Sequence, residues 1–197
     1  MNEKQWTYLI EELLNNSNLG ENIKVKPFVK VPYAREITSY DSNFNELESN
    51  TAPYETDILV YEEINALAHK AIAEAIKPRV IIELKVSSVT THDAITYSDK
   101  AQLHKNVTPY IRYGIAIGDR KHYPLPGRLF RHGLNFDFMI SFKDFELTPE
   151  ETNTFVDLLK HEINASIQIE EMLADSRKST RKKYYMLHKK LDLKEFD

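Results

Sequence analysis

The chain of 197 residues contains no cysteine, so disulfide bonds and thiolate metal sites are both excluded. It also lacks long hydrophobic runs, because no apolar stretch approaches the roughly 20 residues that a membrane-spanning helix needs. Its first residues, MNEKQWTYLIEELL, have neither the basic start nor the small-residue cleavage site of a signal peptide. These absences predict a soluble protein of the cytoplasm.

Positive charge is not in excess either. Lysine and arginine number 26 against 30 aspartates and glutamates, which gives a formal net charge of −4, whereas nucleic-acid-binding surfaces are basic. DNA binding is still compatible with this balance, because affinity for phosphates depends on where the positive charges lie. Three catalytic signatures are missing: the HExxH pair of zinc hydrolases, the GxxxxGK[ST] loop of ATPases and the GxSxG elbow of serine hydrolases.

Hydrophobic periodicity predicts a mixed α/β domain in which helices flank one central sheet. Most of the polar segment 35–54 has no such pattern and predicts a long loop. We expect Thr91 or Asp93 to cap the helix before residue 107, and a Thr148–Glu151 capping box to begin the last helix. The predicted strands are 22–32, 56–61, 80–86, 110–118 and 134–142. The predicted helices are 3–16, 62–77, 94–107 and 149–174.

Two charges interrupt the most apolar predicted strand, VIIELKV (80–86). Glu83 and Lys85 are two residues apart, so their side chains project from the same face of a strand. A strand that is buried on both faces is expected to be apolar throughout, and the two charges therefore require a reason. Asp57 begins a neighbouring predicted strand. If the two strands pair, two carboxylates and one ammonium group converge.

Such a trio suits the hydrolysis of phosphodiester bonds. Two carboxylates form an oxygen site of the kind that Mg²⁺ prefers. The metal would polarise the phosphate and lower the pKa of a bound water molecule, and Lys85 would hold that water or stabilise the developing charge. The alternative is a solvated Glu/Lys pair on a strand face, because Glu-x-Lys is frequent by chance.

The segments PYETD (53–57) and IIELK (81–85), with the following helix that carries Gln102, resemble the PD-(D/E)XK nuclease superfamily. That superfamily includes type II restriction endonucleases, Holliday-junction resolvases and RecB-type exonucleases. The resemblance covers roughly residues 1–142. It implies a restriction-endonuclease-like α/β fold with a nuclease core at 1–146 and a C-terminal helical extension at 147–197 that belongs to the same compact unit.

The resemblance also implies roles for individual residues. Asp57, Glu83 and Lys85 would be catalytic, and the two carboxylates would bind Mg²⁺, with Mn²⁺ as a substitute. Gln102 would support the site. The sequence departs from the family pattern at Thr56, which stands where the family has proline, and in the long gap between Asp57 and Glu83. Glu55 is therefore an alternative carboxylate.

Members of the superfamily often contribute one more acidic residue from the first helix. Glu12 is favoured over Glu11 here because it flanks the apolar stripe more closely. The competing explanation is that both side chains face water, as most glutamates on an amphipathic helix do.

Polar and basic residues around the predicted site are candidates for DNA contacts. Turn formation and solvated surface explain most of them equally well. The densest positive cluster, RKSTRKK (177–183), would suit phosphates or a second chain, although a solvated end is its default interpretation. The candidate DNA-binding residues are Ser87, Ser88, Thr91, Lys100, Lys105, Arg128 and Arg131.

These patterns predict a Mg²⁺-dependent endonuclease that cleaves double-stranded DNA, most like a type II restriction enzyme. Cleavage of a duplex needs one active site for each strand, so we expect a homodimer or a heterodimer with another restriction subunit. Two alternatives stay open from the sequence. One is a non-catalytic DNA-binding or assembly protein on the same fold, and the other is a Holliday-junction or repair nuclease.

Overall fold

The fold is given by a computed structural model that describes residues 1–64, 75–120 and 124–187. Within these ranges helices and strands alternate in the order expected of a mixed α/β protein. The elements are α1 (Glu3–Asn15), β1 (Ile23–Tyr40), β2 (Glu46–Ile64), β3 (Ala75–Val86), α2 (Thr91–Val107), β4 (Arg112–Gly118), α3 (Gly127–His132), β5 (Phe138–Ser141) and α4 (Pro149–Ser176).

The five strands form one mixed sheet in the order β1-β2-β3-β4-β5. The first three strands are antiparallel neighbours, whereas β3, β4 and β5 run parallel. Parallel neighbours need a long crossover, and α2 supplies the one between β3 and β4. The predicted α/β class, with a central mixed sheet and flanking helices, is confirmed.

Each face of the sheet buries its own apolar cluster. Trp6 of α1 and Leu159 of α4 pack with Ile82 on one face, whereas Ile81 packs on the other face with the α3 residue Leu129. Because Ile81 and Ile82 are both fully buried, β3 is covered on its two sides, which explains its continuous apolar run. The helix α4 therefore contributes to the same core as the sheet.

Trp6 fixes α1 against the end of β4. Its indole N–H donates to the carbonyl of Phe145 at 3.1 Å, and its ring lies so close to Gly118 that a β-carbon there would be 2.6 Å away. Such a separation is impossible without movement, so any larger residue at this position would displace the helix. The close contact thereby positions the first turn of α1, which also carries Glu3.

The predicted helices α1, α2 and α4 are confirmed within two or three residues at each end. The Thr148–Glu151 capping box is present, and Pro149 occupies the first turn of α4. The cap of α2 is Thr90 rather than Thr91, and Asp93 completes its capping box. None of the described helices is both long and apolar enough to cross a membrane.

The predicted loop at 35–54 is wrong, because most of it belongs to a long β1–β2 hairpin. The strands stay paired from Ala34↔Ala52 to the tight turn that follows Tyr40. The carboxylate of Asp41 accepts backbone N–H groups in that turn, and hydrogen bonds from Asn45 lower the pKa of Asp41. The hairpin is exposed on both faces, so it lacks the alternation of apolar and polar residues by which strands are predicted.

The predicted helix at 62–77 is wrong at both of its ends. Residues 62–64 belong to β2 and residues 75–77 belong to β3, where they pair with each other. The alanine and glutamate content that favours a helix is a weak preference, and the pairing of two strands overrides it. Residues 65–74 lie outside the described part of the chain.

The region before the last strand also differs from the prediction. The basic turn around 127–132 is a short helix, α3, and the predicted strand 134–142 is reduced to the four residues of β5. Phe136 is buried there without belonging to a strand. Its apolar character therefore reflects packing in the core and not sheet pairing.

Candidate active site

The strands β2 and β3 stop pairing next to the candidate carboxylates. Their register reaches Ile58↔Ile82 and is not continued to Asp57 and Glu83. The backbone N–H of Leu84 donates to Oδ2 of Asp57 at 2.8 Å, so a side chain takes the place of a main-chain partner. This hydrogen bond holds Asp57 at the point where the two strands separate, beside Glu83.

Glu83 is a nearly completely buried carboxyl group, with 3% of its surface exposed. It shares a side-chain hydrogen bond with Asp57, and the Tyr113 hydroxyl donates to its Oε1 atom. Burial and the negative charge of Asp57 raise the pKa of Glu83 to about 8, although Tyr113 and the positive charge of Lys100 act in the opposite direction. Glu83 thus retains a proton at neutral pH unless a cation replaces it.

Lys85 lies on the same strand, one side-chain repeat beyond Glu83. Its Nζ atom is 3.2 Å from Oε1 of Glu3 and 4.6 Å from the ring centroid of Tyr97. Burial alone would lower the pKa of Lys85, but hydrogen bonds and charges from Tyr97 and Glu3 outweigh it and raise the pKa above the ordinary value. Lys85 is therefore a permanent cation at the site.

The acidic residue that α1 contributes is Glu3, in place of the expected Glu12 or Glu11. Glu12 is exposed, and Glu11 bonds to Asn15 one turn along the same helix. The structure is thus compatible with an acidic residue from the first helix at the site, but that residue lies in the first turn. Helical periodicity alone favours neither end of the helix.

The helix α2 faces the carboxylates with Lys100. Its Nζ atom lies 4.7 Å from the ring centroid of Tyr97 and 5.0 Å from that of Tyr54, and its charge acts on Glu83. Gln102, the expected supporting residue, is exposed and donates to Asn106 one turn further on. The structure therefore brings Lys100 to the site and leaves Gln102 outside it.

Buried aromatic side chains pack next to Glu83. The rings of Tyr113 and His104 stack with their centroids 5.6 Å apart, and Nδ1 of His104 lies 3.0 Å from the carbonyl oxygen of Pro32. Burial lowers the pKa of His104, so the ring is neutral at physiological pH. His104 thus packs behind the site and does not reach into it.

The loop after β3 carries the hydroxyl residues that were candidates for phosphate contacts. Ser87 donates through Oγ to Asp119 at 3.0 Å, and both residues have positive φ angles, 62° and 51°. Ser88 and Thr91 are exposed, on the loop and at the first position of α2. These residues lie at the carboxyl edge of the parallel strands, beyond Lys85.

The remaining basic candidates lie elsewhere. Lys105 forms an ion pair with Asp137 at 2.9 Å and is largely covered, so it is not a free surface cation. Arg128 is exposed on α3 and donates to the carbonyl of Val89 in the loop after β3, whereas Arg131 is simply exposed on that helix. None of these three has a described contact with Asp57, Glu83 or Lys85.

An open cleft of about 430 Å³ gives access to Asp57 from solvent. It lies between the first turns of α1 and the adjoining parts of β1 and β2. Glu55, the alternative carboxylate, also borders it, but it is exposed, pairs in register with Lys30 and has no described contact with Glu83. The residues lining the cleft are Glu3, Lys4, Thr7, Phe28, Glu55 and Asp57.

The donor set at this site is small. Among the described residues, no group of three or more histidine, aspartate or glutamate side chains is arranged to hold a metal ion. The candidate centre therefore rests on the two carboxyl groups of Asp57 and Glu83. This number suits Mg²⁺, which keeps several of its water ligands and binds proteins through one or two carboxylates.

Three residues of the site were not identified from the sequence. Tyr113 had a usable signal, because a tyrosine in a buried strand normally needs a partner for its hydroxyl group. Tyr97 and Glu3 had none, since only the packing of α1 and α2 brings them to Lys85. The sequence matches no protein-family model and no curated protein, so the site is interpreted from its own geometry.

Proposed function

We propose that this protein is a metal-dependent nuclease that hydrolyses phosphodiester bonds in DNA on a restriction-endonuclease-like fold. One observation carries the proposal. Glu83, buried and with its pKa raised to about 8, hydrogen-bonds to Asp57 where β2 and β3 separate, and Lys85 follows on the same face of the strand. Burial of the Glu83 carboxyl group next to that of Asp57 is costly for stability, and catalysis supplies a reason for it.

A divalent cation fits the Asp57–Glu83 pair. Burial and the negative charge of Asp57 make Glu83 bind a proton near neutral pH, and a dication neutralises the same charge more completely. Bound there, Mg²⁺, or Mn²⁺ as a substitute, would supply Lewis acidity to a phosphodiester group. The hydroxyl of Tyr113 and the backbone N–H of Leu84 each hold one carboxyl group in its orientation.

The cationic side chains have separate roles in this proposal. Lys85 stabilises negative charge that develops on the phosphate and orients the attacking water. Glu3 and Tyr97 hold its ammonium group in place. Lys100, placed between two tyrosine rings and acting on Glu83, adds positive charge on the α2 side, where an anionic substrate has to approach.

The biological role that we propose is type II restriction of double-stranded DNA in the cytoplasm. The described part of the chain carries one such site, so cutting both strands would require a homodimer or a heterodimer with another restriction subunit. The basic stretch 177–183 follows α4 and is exposed, which suits contact with DNA or with the second subunit. Junction resolution or repair would use the same chemistry.

Cleavage of supercoiled plasmid DNA tests the proposal. We expect nicked or linear product with Mg²⁺ and none in EDTA. Lys85→Ala should lower the rate by at least about 10²-fold, the typical loss when one transition-state donor is removed. Lys160→Ala is the matched control, because Lys160 is an exposed lysine on α4, and it should cleave like the wild type.

The products separate the remaining roles. Discrete fragments from unrelated plasmids indicate sequence-specific restriction, whereas a preference for four-way junctions indicates a resolvase. If the wild type cleaves nothing with Mg²⁺ or Mn²⁺, alone or with the products of neighbouring genes, the nuclease proposal fails. DNA binding without cleavage would then favour a non-catalytic protein on this fold.

A further inference from the structure

The cleft that leads to Asp57 is lined by one aromatic side chain, Phe28, which contacts a second one, Tyr8. Tyr8 of α1 and Phe28 of β1 meet edge to face with their ring centroids 5.5 Å apart, and we call this pair the aromatic ledge. Tyr8 is 49% exposed, although it lies on the first helix of the core. The Nζ atom of Lys4 lies 5.8 Å from the centroid of the Phe28 ring. A cation and two rings are thus presented to solvent beside a candidate catalytic carboxylate.

The backbone at Phe28 is in an unusual conformation. Its φ angle is 53°, in the left-handed region that side chains other than glycine, asparagine and aspartate rarely adopt. The β1–β2 register pairs Pro27↔Ile58 and Val29↔Thr56, and it omits Phe28 and Asp57, which would lie opposite each other. Backbone strain of this kind is concentrated at functional sites. At Phe28 it accompanies a ring at the mouth of the cleft.

The charges around the aromatic ledge disfavour the phosphate of a nucleotide and tolerate its base. Glu3, Glu55 and Asp57 make the cleft acidic, so a phosphate can enter only with a cation, whereas an uncharged base is tolerated. Lys4, which lies over the Phe28 ring, adds a positive charge, and further exposed lysines occur on β1, the edge strand of the sheet. Aromatic rings next to a basic track are the usual features of surfaces that bind unstacked nucleotides. The lysines are Lys4, Lys24, Lys26 and Lys30.

We propose that Tyr8 and Phe28 form a stacking surface for an unstacked nucleotide base next to the phosphodiester bond that is cut. The substrate is therefore DNA with an unpaired nucleotide at the cleavage position. That nucleotide is either part of a single strand or extruded from a duplex, and the same ring contact serves both. The position next to a cleaved bond rests on the proposed nuclease function, but the stacking itself does not depend on catalysis.

Fluorescence anisotropy with three labelled DNA probes tests the stacking surface without hydrolysis. The probes are a single strand, a fully paired duplex and a duplex with one bulged nucleotide, each titrated in EDTA and again with Ca²⁺. Phe28→Asn removes the ring and places at φ 53° a residue that tolerates this region, so folding should persist. Tyr8→Leu removes the second ring from an exposed helix position. The matched control is Phe44→Asn, because Phe44 is also aromatic, has a φ of 60° and lies at the hairpin tip.

We expect each ledge variant to weaken binding of the single strand and the bulged duplex about tenfold, the usual order for loss of one base–aromatic contact. The fully paired duplex should change little, and Phe44→Asn should behave like the wild type with all probes. A loss with the single strand alone assigns the base to single-stranded DNA, and a loss with the bulged probe alone assigns it to extrusion. Equal effects on all three probes, no effect, or no binding by the wild type would overturn the inference.

The result is independent of the nuclease test. Ring-dependent binding in a protein that cleaves no DNA would keep the stacking surface and refute the nuclease. Cleavage of plasmid by ledge variants that also bind every probe like the wild type would keep the nuclease and refute the stacking surface.

Discussion

Two groups of largely covered charges lie along the central strands β3 and β4. At the amino end, Arg112 forms ion pairs with Asp137 at 2.9 Å and with Glu162 at 2.6 Å, and Lys105 joins Asp137 at 2.9 Å. We call these four residues the support network. Further along, Glu83 pairs in register with Ile115 at the middle of β4, and the carboxyl group of Asp57 is the charge that acts on it most strongly.

The difference lies in how the negative charge is neutralised. In the support network two cations face two carboxylates, and the backbone N–H of Tyr113 also donates to Asp137. Burial raises the pKa of Glu162, but Arg112 opposes that rise. In the second group, burial and Asp57 both raise the pKa of Glu83. The first group is complete within the chain, whereas the second would gain from an added cation, as a binding site for a metal ion does.

Arg112→Ala should have the largest effect on stability. It leaves Asp137 and Glu162 largely covered, with Lys105 as the remaining cation among their described ion pairs, and breaking a buried ion pair in this way costs about 3–5 kcal/mol. Urea denaturation should report this loss, with no more than about 0.5 kcal/mol for the surface control Lys160→Ala. A loss for Arg112→Ala that is no larger than the control would remove the distinction between the two groups.

Glu83→Gln should have an intermediate effect on stability. At high pH it should stabilise the protein, whereas Arg112→Ala destabilises it. The pKa of Glu83 is about 8 in the folded protein and ordinarily 4.5, so its contribution is fully present below 4.5 and is lost as pH rises through 8. Above pH 8 in EDTA the variant should therefore be more stable than the wild type, by roughly 1–3 kcal/mol, since a tenfold change in proton affinity is about 1.4 kcal/mol.

Thermal melting with and without Mg²⁺ completes this test. Mg²⁺ should raise the melting temperature of the wild type more above pH 8 than at acid pH, because the cation and the proton compete for Glu83. It should not stabilise Glu83→Gln. Equal stabilisation of both proteins by Mg²⁺ would mean that the cation binds somewhere else.

Glu3→Gln should have the smallest effect on stability. The Glu3–Lys85 contact is partly exposed, so its loss should cost less than about 1 kcal/mol. If Glu3 only holds Lys85 in place, plasmid cleavage should slow by a few-fold at an unchanged Mg²⁺ requirement. A large rise in the Mg²⁺ concentration needed for half-maximal cleavage would instead make Glu3 a ligand of the cation.

The sequence predicted those parts of the fold that bury one face. The helices α1 and α4 have apolar stripes, and β3 and β4 have apolar runs, so all four were located within a few residues. The strands 22–32 and 56–61 were predicted, but the outer part of the β1–β2 hairpin was missed because neither of its faces is buried beyond Tyr33 and Tyr54. The segments 62–64 and 75–77 were missed because their residues favour a helix, although they belong to strands that pair with each other.

The candidate site divides in the same way. The relation between Glu83 and Lys85 follows from the two-residue repeat of a strand, and it was available from the sequence alone. Asp57 required the assumption that its strand pairs with β3, and the antiparallel register supports that assumption. Gln102 and Glu12 were chosen from the family pattern, and the structure directs both away from the carboxylates.

What the sequence by itself determined is therefore local: helices and strands with a buried face, and two charges on one side of β3. The tertiary structure alone decided which distant groups meet them. Glu3, Tyr97, Lys100 and Tyr113 reach the site from three elements, through the packing of α1 and α2 against the sheet and the parallel pairing of β4. Periodicity describes which face of an element is buried, but not which residue of another element lies against that face. The chemistry of the site depends on these contacts between elements.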